Sequence, residues 1–284
     1  YLLATRRSSG AEMRTECNLH KRESAVAWWA FIKKSKRLNV GDILQFGEGK
    51  LTATLTEKRE GGEVLLTFDV AAGTLESVLA EIGLMPLPPY IASKRAVDDR
   101  DKDDYQTMFA QKDGAVAAPT ASLHFTEDLL KKLADKNIQT SYLTLHVGAG
   151  TFLPMKVDDT KDHVMHAEWG VVSPDLAAQI NATHQAGKRV IAVGTTVLRL
   201  LESATDAQGI THEFSGDTAI FITPGYTFRC VDMLMTNFHL PKSTLFMLVC
   251  AFAGMDTMKS AYEYAITHGY RFYSYGDSSL LFRQ

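Results

Sequence analysis

The sequence is short of cysteine, of long apolar runs, of repeats and of any strong excess of one charge, and each shortage removes a class of protein. Cys17, Cys230 and Cys250 are the only thiols and stand far apart. They give neither a disulfide framework nor a Cys-x-x-Cys pair, and a reducing cytoplasm suits them. No apolar stretch approaches the ~20 residues that a membrane span needs. The longest, Leu245 to Gly254, follows Pro-Lys-Ser-Thr and reads as a buried helix. Repeats and low-complexity tracts are missing, which excludes a solenoid or a disordered array. No cleavable signal segment opens the chain, although Tyr1 is not an initiator and the true start is expected to lie upstream. The net charge of −3 does not by itself suggest a nucleic-acid partner.

What is present is the composition of an ordinary soluble protein, with 45% hydrophobic and 22% charged residues in a chain of 284, long enough for two domains. Charge is unevenly distributed. Residues 1–60 carry 12 Lys/Arg against 7 Asp/Glu, while the remainder carry 18 against 26. Arg6-Arg7, Lys21-Arg22 and the cluster Lys33, Lys34, Lys36 and Arg37 make most of the basic excess. Such clusters either pair with phosphates or form a solvated face.

Two organisations follow one another along the chain. Asp42 to Phe46, Leu51 to Glu57 and Glu63 to Val70 read as strands separated by Gly-Glu-Gly and Gly-Gly turns, predicting a small antiparallel sheet or barrel. A short helix is expected from Thr74 as cap to Gly83. Met85-Pro86-Leu87-Pro88-Pro89-Tyr90 is then a stiff link, since each proline fixes φ and removes a donor. This link sets the expected boundary, giving a barrel-like domain over 1–84 and an α/β domain over 85–284. The acidic run Asp98 to Asp104 lacks the glycine and final glutamate of a calcium loop and reads as a solvated loop. Beyond it strands and helices alternate. Thr126 caps one helix, Ser141 to Val147 is a strand, and Ser173-Pro174-Asp175 starts a helix that Gly187 ends. Arg189 to Val193 is a strand, and Thr195 or Thr196 opens a helix reaching Ala204. Helices over 243–253 and 257–267 and an aromatic strand from Tyr270 to Tyr275 complete the pattern, which predicts a parallel-rich sheet covered on both faces.

Four segments carry candidate chemistry. Leu145-His146-Val147-Gly148-Ala149-Gly150-Thr151-Phe152 ends a strand in two glycines, which either admit a ligand close to the backbone or make a plain tight turn. It is not a dinucleotide fingerprint, because a third glycine is missing and Pro154 blocks a helix. Val193-Gly194-Thr195-Thr196 joins a strand to a helix, whose free N–H groups suit a carboxylate or phosphate, with Arg199 as a bidentate partner or a surface residue. His163-x-x-His166-x-Glu168 places proton carriers close together; its spacing matches no established zinc motif, so an acid/base histidine beside a carboxylate competes with a structural one. The loop Thr236-Asn237-Phe238-His239-Leu240-Pro241-Lys242-Ser243-Thr244 packs amide, imidazole, ammonium and hydroxyls before a very apolar helix, with Ser243 also a plain cap and Asn237 also a turn residue. The segment Ala117-Ala118-Pro119-Thr120 to His124-Phe125-Thr126 sets an isolated histidine after a small-residue loop.

In sequence order, the motifs MPLPPYI (85–91), YQTMFA and GAVAAPTASLHFT (105–126), LTLHVGAGTFLPMKV (143–157), HVMHAEW (163–169), VIAVGTTVLRLLES (190–203), FITPGYTFRCVDMLMTNFHLPKSTLFMLVCAFAG (221–254) and AYEYAI with GYRFYSYGD (261–277) resemble the S-adenosylmethionine:tRNA ribosyltransferase-isomerases of queuosine biosynthesis. The resemblance spans 85–284, with weaker similarity over 38–83 and no alignment over 1–28. Ser122 replaces a usual glycine and Met155 a usual valine. An Asn-Asp/Asn-Thr-Arg-Val segment near the family's start is absent, so the sequence is expected to be part of a longer protein.

The resemblance implies a larger α/β sandwich domain carrying a smaller inserted β-barrel, cytoplasmic and monomeric. It also implies the reaction. The ribosyl part of S-adenosylmethionine, a co-substrate and not a resident cofactor, moves to 7-aminomethyl-7-deazaguanine at the wobble position of tRNA. The ribose rearranges to an epoxycyclopentanediol, giving epoxyqueuosine-tRNA with release of adenine and methionine, and no metal or redox cofactor is expected. The sulfonium acidifies the C5′ protons, so the chemistry asks for a base, a neutral amine and assistance to the leaving adenine. His166 with Glu168, and His239 with Lys242, are the catalytic candidates, with the division of labour left open. Gly148, Gly150 and Thr151 would let the adenosyl group lie against backbone. Thr195, Thr196 and Arg199 would receive the methionine carboxylate, Phe152 or Tyr226 would face the sulfonium, and Asn237 joins the donor-binding set. Lys33, Lys34, Lys36 and Arg37 would hold RNA phosphates. A methyltransferase, a metal hydrolase built on His163, His166 and Glu168, and a non-catalytic RNA-binding module are the rival readings.

Overall fold

Period-two alternation does build the N-terminal sheet, and the sheet closes on itself. The computed structural model describes residues 1–284 apart from 8–12, 60, 61, 85, 86, 89, 90, 92–94, 96, 97, 99, 112–114, 116, 148–164, 166, 242 and the side chain of residue 102. The chain divides into two compact units, one comprising Tyr1–Lys102 with Gly114–Ala117, the other Asp103–Asp113 with Ala118–Gln284.

In the first unit, β1 (Leu2–Arg6), β2 (Met13–Arg22), β3 (Ala27–Ile32), β4 (Ile43–Phe46), β5 (Leu51–Lys58) and β6 (Glu63–Phe68) form a closed barrel in the order β1-β2-β3-β6-β5-β4. Every pairing in it is antiparallel, and Ala4 opposite Phe46 belongs to the β1–β4 ladder that seals it. Closure leaves no unpaired edge to recruit another strand. Leu51, Ala53 and Leu55 alternate with outward threonines on β5, as Val64, Leu66 and Phe68 alternate on β6, and these six join one apolar core with Leu2, Cys17, Leu44 and Phe46. Burial pushes the Cys17 thiol up to about 12, so it stays a packed apolar group. Helix α1 (Leu75–Ile82) adds Leu75 to the same core. Thr74 precedes it but does not cap it, because its hydroxyl donates to Ala71 O at 2.8 Å.

The acidic run is more than a solvated loop. Asp101 is buried and accepts hydrogen bonds from Arg95 Nη1 and Nη2, at 2.7 and 2.5 Å, at the start of a helical turn over Asp101–Asp104. A desolvated carboxylate persists only with such a partner.

In the second unit, Thr126 and Ser173 do cap their helices, α2 (Glu127–Asp135) and α3 (Pro174–Gln185), each hydroxyl accepting a backbone N–H at 3.2 Å. Strands β7 (Thr144–His146), β8 (Glu168–Val172) and β10 (Phe214–Thr218) form an antiparallel sheet in the order β10-β8-β7. Strands β9 (Ile191–Val193), β11 (Met233–Asn237) and β12 (Ser278–Phe282) form another in the order β12-β11-β9. Only β9 and β11 run parallel among the described pairs, which corrects the expected parallel-rich sheet. Helix α4 (Thr195–Ser203) supplies Leu198, Leu200 and Leu201 to the core, together with α5 (Thr244–Ala253) and α6 (Met255–Thr267). A Cβ on Gly170 of β8 would lie 2.7 Å from a Leu200 methyl, so glycine there permits α4 to approach the strand.

The closing strand is Ser278–Phe282 and not Tyr270–Tyr275. Tyr273 takes φ +71°, which ends any extended run, and Asp277 accepts the Arg271 N–H at 2.8 Å, folding the aromatic segment into a turn. Phe272 packs near Phe238 and Tyr262 instead. No described helix is long and apolar enough to cross a membrane.

Candidate functional site

The parallel β9–β11 pair fixes where the polar loops meet. Met235 lies opposite Val193, and Gly194 N–H donates to Met235 O at 2.8 Å, so the strand ends and the start of α4 are adjacent. Ligands in open α/β sheets favour this location, at the carboxyl ends of strands. Gly194 adopts φ +101° to turn the chain into α4, and no side chain caps that helix. Thr195, its first residue, is buried and Thr196 half-buried. The first N–H groups of a helix have no partner within it and carry its positive dipole end.

Asn237, at the end of β11, is buried at 4% exposure. Its Oδ1 accepts the Thr120 hydroxyl at 2.9 Å, and its Nδ2 has no hydrogen-bond partner among the described residues. Thr120 opens a short turn over Thr120–His124, and a Cβ on Gly194 would stand 3.8 Å from the Ala121 methyl. This turn, the start of α4 and the end of β11 therefore share one locality.

Arg199, one turn into α4, is 3% exposed. Its Nη1 pairs with Glu168 at 2.9 Å and its Nε donates to Ile220 O at 3.1 Å, while Nη2 lacks a partner among the described residues. Burial pushes the Glu168 carboxyl above the usual range, opposed by the guanidinium. Glu168 is thus engaged with Arg199.

Strand β11 and its loop also fix His239. The imidazole is buried, its Nε2 lies 3.0 Å from the Thr236 hydroxyl, and its backbone N–H donates to the Tyr262 hydroxyl at 2.8 Å. Burial pushes the ring down to about 4, so it is neutral at pH 7. Tyr226 is directed elsewhere. Its ring meets Phe228 edge-on and its hydroxyl lies 3.4 Å from Glu202, with burial raising its phenol to about 12.

A family model described as queuosine biosynthesis protein matches residues 1–281. The chain belongs to that family. The S-adenosylmethionine:tRNA ribosyltransferase-isomerase of Phenylobacterium zucineum is 57% identical over 290 aligned positions, covering 99% of this chain and 81% of that protein. The enzyme of the same name from Methylocella silvestris is 58% identical over 271, covering 95% and 75%. A crystal structure of an S-adenosylmethionine tRNA ribosyltransferase from Thermotoga maritima is 28% identical, covers 98% of this chain and 77% of that one, and gives a TM-score of 0.46. The family match extends through residues 1–28, where the motifs give no alignment.

In this queuosine-family chain, the structure brings Glu168 to Arg199, Asn237 to Thr120, and the start of α4, where Thr195 and Thr196 lie, to strand β11 through Gly194. His163, His166, Lys242, Gly148, Gly150, Thr151 and Phe152 lie outside the described residues. Among the described residues no three His, Cys, Asp or Glu side chains are grouped to hold a metal. Lys33, Lys34, Lys36 and Arg37 belong to the barrel unit, where Lys34 takes φ 63° ahead of the turn Ser35–Arg37. All four are exposed, and Lys33 pairs with Glu16 at 3.3 Å. Two participants are not among the candidates that the sequence pattern singles out. Thr120 carries no local mark of its bond to a residue 117 positions away. Glu202 does carry one: a glutamate inside the apolar run of α4 needs buried partners, and it receives the N–H groups of Arg229, Cys230 and Val231.

Proposed function

We propose that this chain transfers and isomerises the ribosyl part of S-adenosylmethionine onto 7-aminomethyl-7-deazaguanine at the wobble position of tRNA, giving epoxyqueuosine-tRNA, adenine and methionine. The carrying observation is the shared name of relatives 56–58% identical over nearly the whole chain. The three thiols are free and buried, which suits a reducing cytoplasm, and the chain acts there as a monomer.

The start of α4, with Thr195, Thr196 and Arg199, receives the methionine carboxylate. Gly148, Gly150 and Thr151 accommodate the adenosyl group, and Phe152 faces the sulfonium, since the Tyr226 hydroxyl is directed to Glu202. Of the proton carriers, Glu168 is committed to Arg199 and His239 is a neutral imidazole of low basicity. In this reading His166 is the base for the acidic C5′ proton, Lys242 assists the departing adenine and His239 contributes hydrogen bonds. In the barrel, Lys34, Lys36 and Arg37 contact RNA phosphates, with Lys33 a weaker contributor because Glu16 competes for it.

Incubation with S-adenosylmethionine and tRNA bearing the aminomethyl base tests the reaction. Free adenine and methionine in equal amounts are expected; S-adenosylhomocysteine would instead identify methyl transfer. His166→Ala is expected to reduce turnover far more than tRNA affinity, and unchanged turnover would remove His166 from the mechanism.

A further inference from the structure

Thr120 and Asn237 form a hydrogen-bonded couple whose function is not exhausted by packing. An asparagine amide has one acceptor oxygen and one donor nitrogen, and which one faces a ligand depends on what holds the other. Here the Thr120 hydroxyl donates to Oδ1 at 2.9 Å, so Nδ2 is the end left over, buried and without a partner among the described residues. Buried donors are almost always satisfied, and an orphan at a strand end offers a place for a ligand's acceptor. The start of α4 lies beside the same strand: Gly194 N–H donates to Met235 O of β11 at 2.8 Å, and no side chain caps the helix. Its open N–H groups are donors too, which suits a group that only accepts.

We infer that Thr120 is a positioning residue that locks the Asn237 amide with its nitrogen toward an anionic oxygen, making the couple a determinant of specificity for the carboxylate at the amino-acid end of the sulfonium donor. This rests on the reading of S-adenosylmethionine as that donor. Without the Thr120 hydroxyl the amide is free to turn over and present its oxygen to the carboxylate, replacing attraction with repulsion. An anionic oxygen of the RNA backbone has the same chemistry, and the experiment separates the two sources.

Binding of S-adenosylmethionine and of decarboxylated S-adenosylmethionine to the full chain is measured by calorimetry without tRNA, and tRNA affinity is measured separately. The unaltered chain is expected to prefer the carboxylated ligand by about tenfold or more, the scale of a charge-assisted hydrogen bond. Asn237→Asp should abolish or reverse that preference, because the new carboxylate repels the ligand's own and attracts its ammonium. Thr120→Val should reduce the preference severalfold, and Thr120→Ser, which keeps the hydroxyl, should restore it. Equal losses for both ligands in Thr120→Val, or full preference retained in Asn237→Asp, would overturn the inference alone. Loss of tRNA affinity with the ligand preference intact would overturn it in favour of an RNA phosphate. If the unaltered chain binds neither adenosyl ligand, the donor reading fails and the inference with it. Should Asn237→Asp not fold, the Thr120 pair and the unaltered chain's own preference still decide.

Discussion

The barrel and the α/β unit place their polar groups differently. In the barrel, Thr15 donates its hydroxyl to Lys33 O, Asp42 accepts the Asn39 N–H at 2.9 Å, and Lys58 holds Ser35 O and Leu38 O at 3.1 and 2.8 Å. These groups close the barrel's own loops. Each unit also keeps buried donors without a partner among the described residues, Trp28 Nε1 on β3 of the barrel, and Asn237 Nδ2 and Arg199 Nη2 in the α/β unit. Asn237 differs from Trp28 in its place, the end of a strand in the parallel pair, where α/β sheets receive ligands. On the function proposed above, the barrel displays charge to the RNA and the α/β unit carries the chemistry.

The largest effect is expected where a charge pair is buried. Arg199 and Glu168 are 4% and 5% exposed. Removing one partner of a buried pair typically costs about 3–5 kcal/mol, because the other charge stays desolvated. Arg199→Met should therefore lower the urea midpoint sharply, and Glu168→Leu added to it should recover much of the loss. The barrel offers the control. Lys33 and Glu16 are 65% and 47% exposed at 3.3 Å, and Lys33→Ala should cost about 0–1 kcal/mol. Equal costs at the two sites would break the contrast.

Next in size is an acid-range effect on His239. Its folded value of about 4 lies below the ordinary 6.5, so the unfolded chain binds the proton more readily. Stability is then full above pH 6.5, falls as pH drops toward about 4, and stops falling below that. The total is on the order of 3 kcal/mol. His239→Gln should flatten this part of the stability profile, measured by urea titration across pH 4–7. In the barrel, His20 is also lowered by burial, but Glu63 at 3.0 Å opposes the shift, so His20→Gln should change the profile less.

The barrel's own signature is sought in RNA binding. Lys34→Ala with Lys36→Ala should lower tRNA affinity about tenfold at low salt and flatten the slope of log affinity against log salt by about one to two. Lys33→Ala alone should do less, since Glu16 already neutralises it. An unchanged slope would move the RNA to another surface, and an equal change from substituting exposed lysines of the α/β unit would erase the division of labour.

How much of this was legible depended on whether the signal was local. Strands β4 to β6 could be read because Gly-Glu-Gly and Gly-Gly punctuate alternating runs. Strand β3, Ala-Trp-Trp-Ala-Phe-Ile, is apolar at every position, so no period separates Trp28, Ala30 and Ile32, which meet the core, from Trp29 and Phe31 on the other face. The aromatic segment from Tyr270 looked like a strand by composition, but Tyr273 in the left-handed region and Asp277 capping Arg271 depend on where Phe238 lies. Val193-Gly194-Thr195-Thr196 announced a helix start after a strand, and it is one. That Arg199 faces Glu168, that Tyr226 serves Glu202 and that Asn237 answers to Thr120 are long-range facts with no mark in the local pattern.

The smallest expected effect distinguishes two threonines that the sequence presents identically. Thr74 and Thr126 each precede a helix, and a capping hydroxyl replaced by alanine costs about 1 kcal/mol. Thr126 accepts the Leu129 N–H at 3.2 Å, satisfying one of the donors that the first turn of α2 leaves open. Thr74 sits in helical conformation, and its hydroxyl donates backwards to Ala71 O, leaving the first turn of α1 uncapped. Thr126→Ala should therefore lower stability by about 1 kcal/mol and Thr74→Ala by roughly half as much or less, the worth of one exposed turn hydrogen bond. Thr74→Asp gives the sharper reading: an aspartate is a better cap and favours the positive end of the helix, so if α1 has an unmet need this change stabilises the barrel unit. No gain from Thr74→Asp, with a full loss from Thr74→Ala, would show that the Ala71 turn governs that junction and the start of α1 does not.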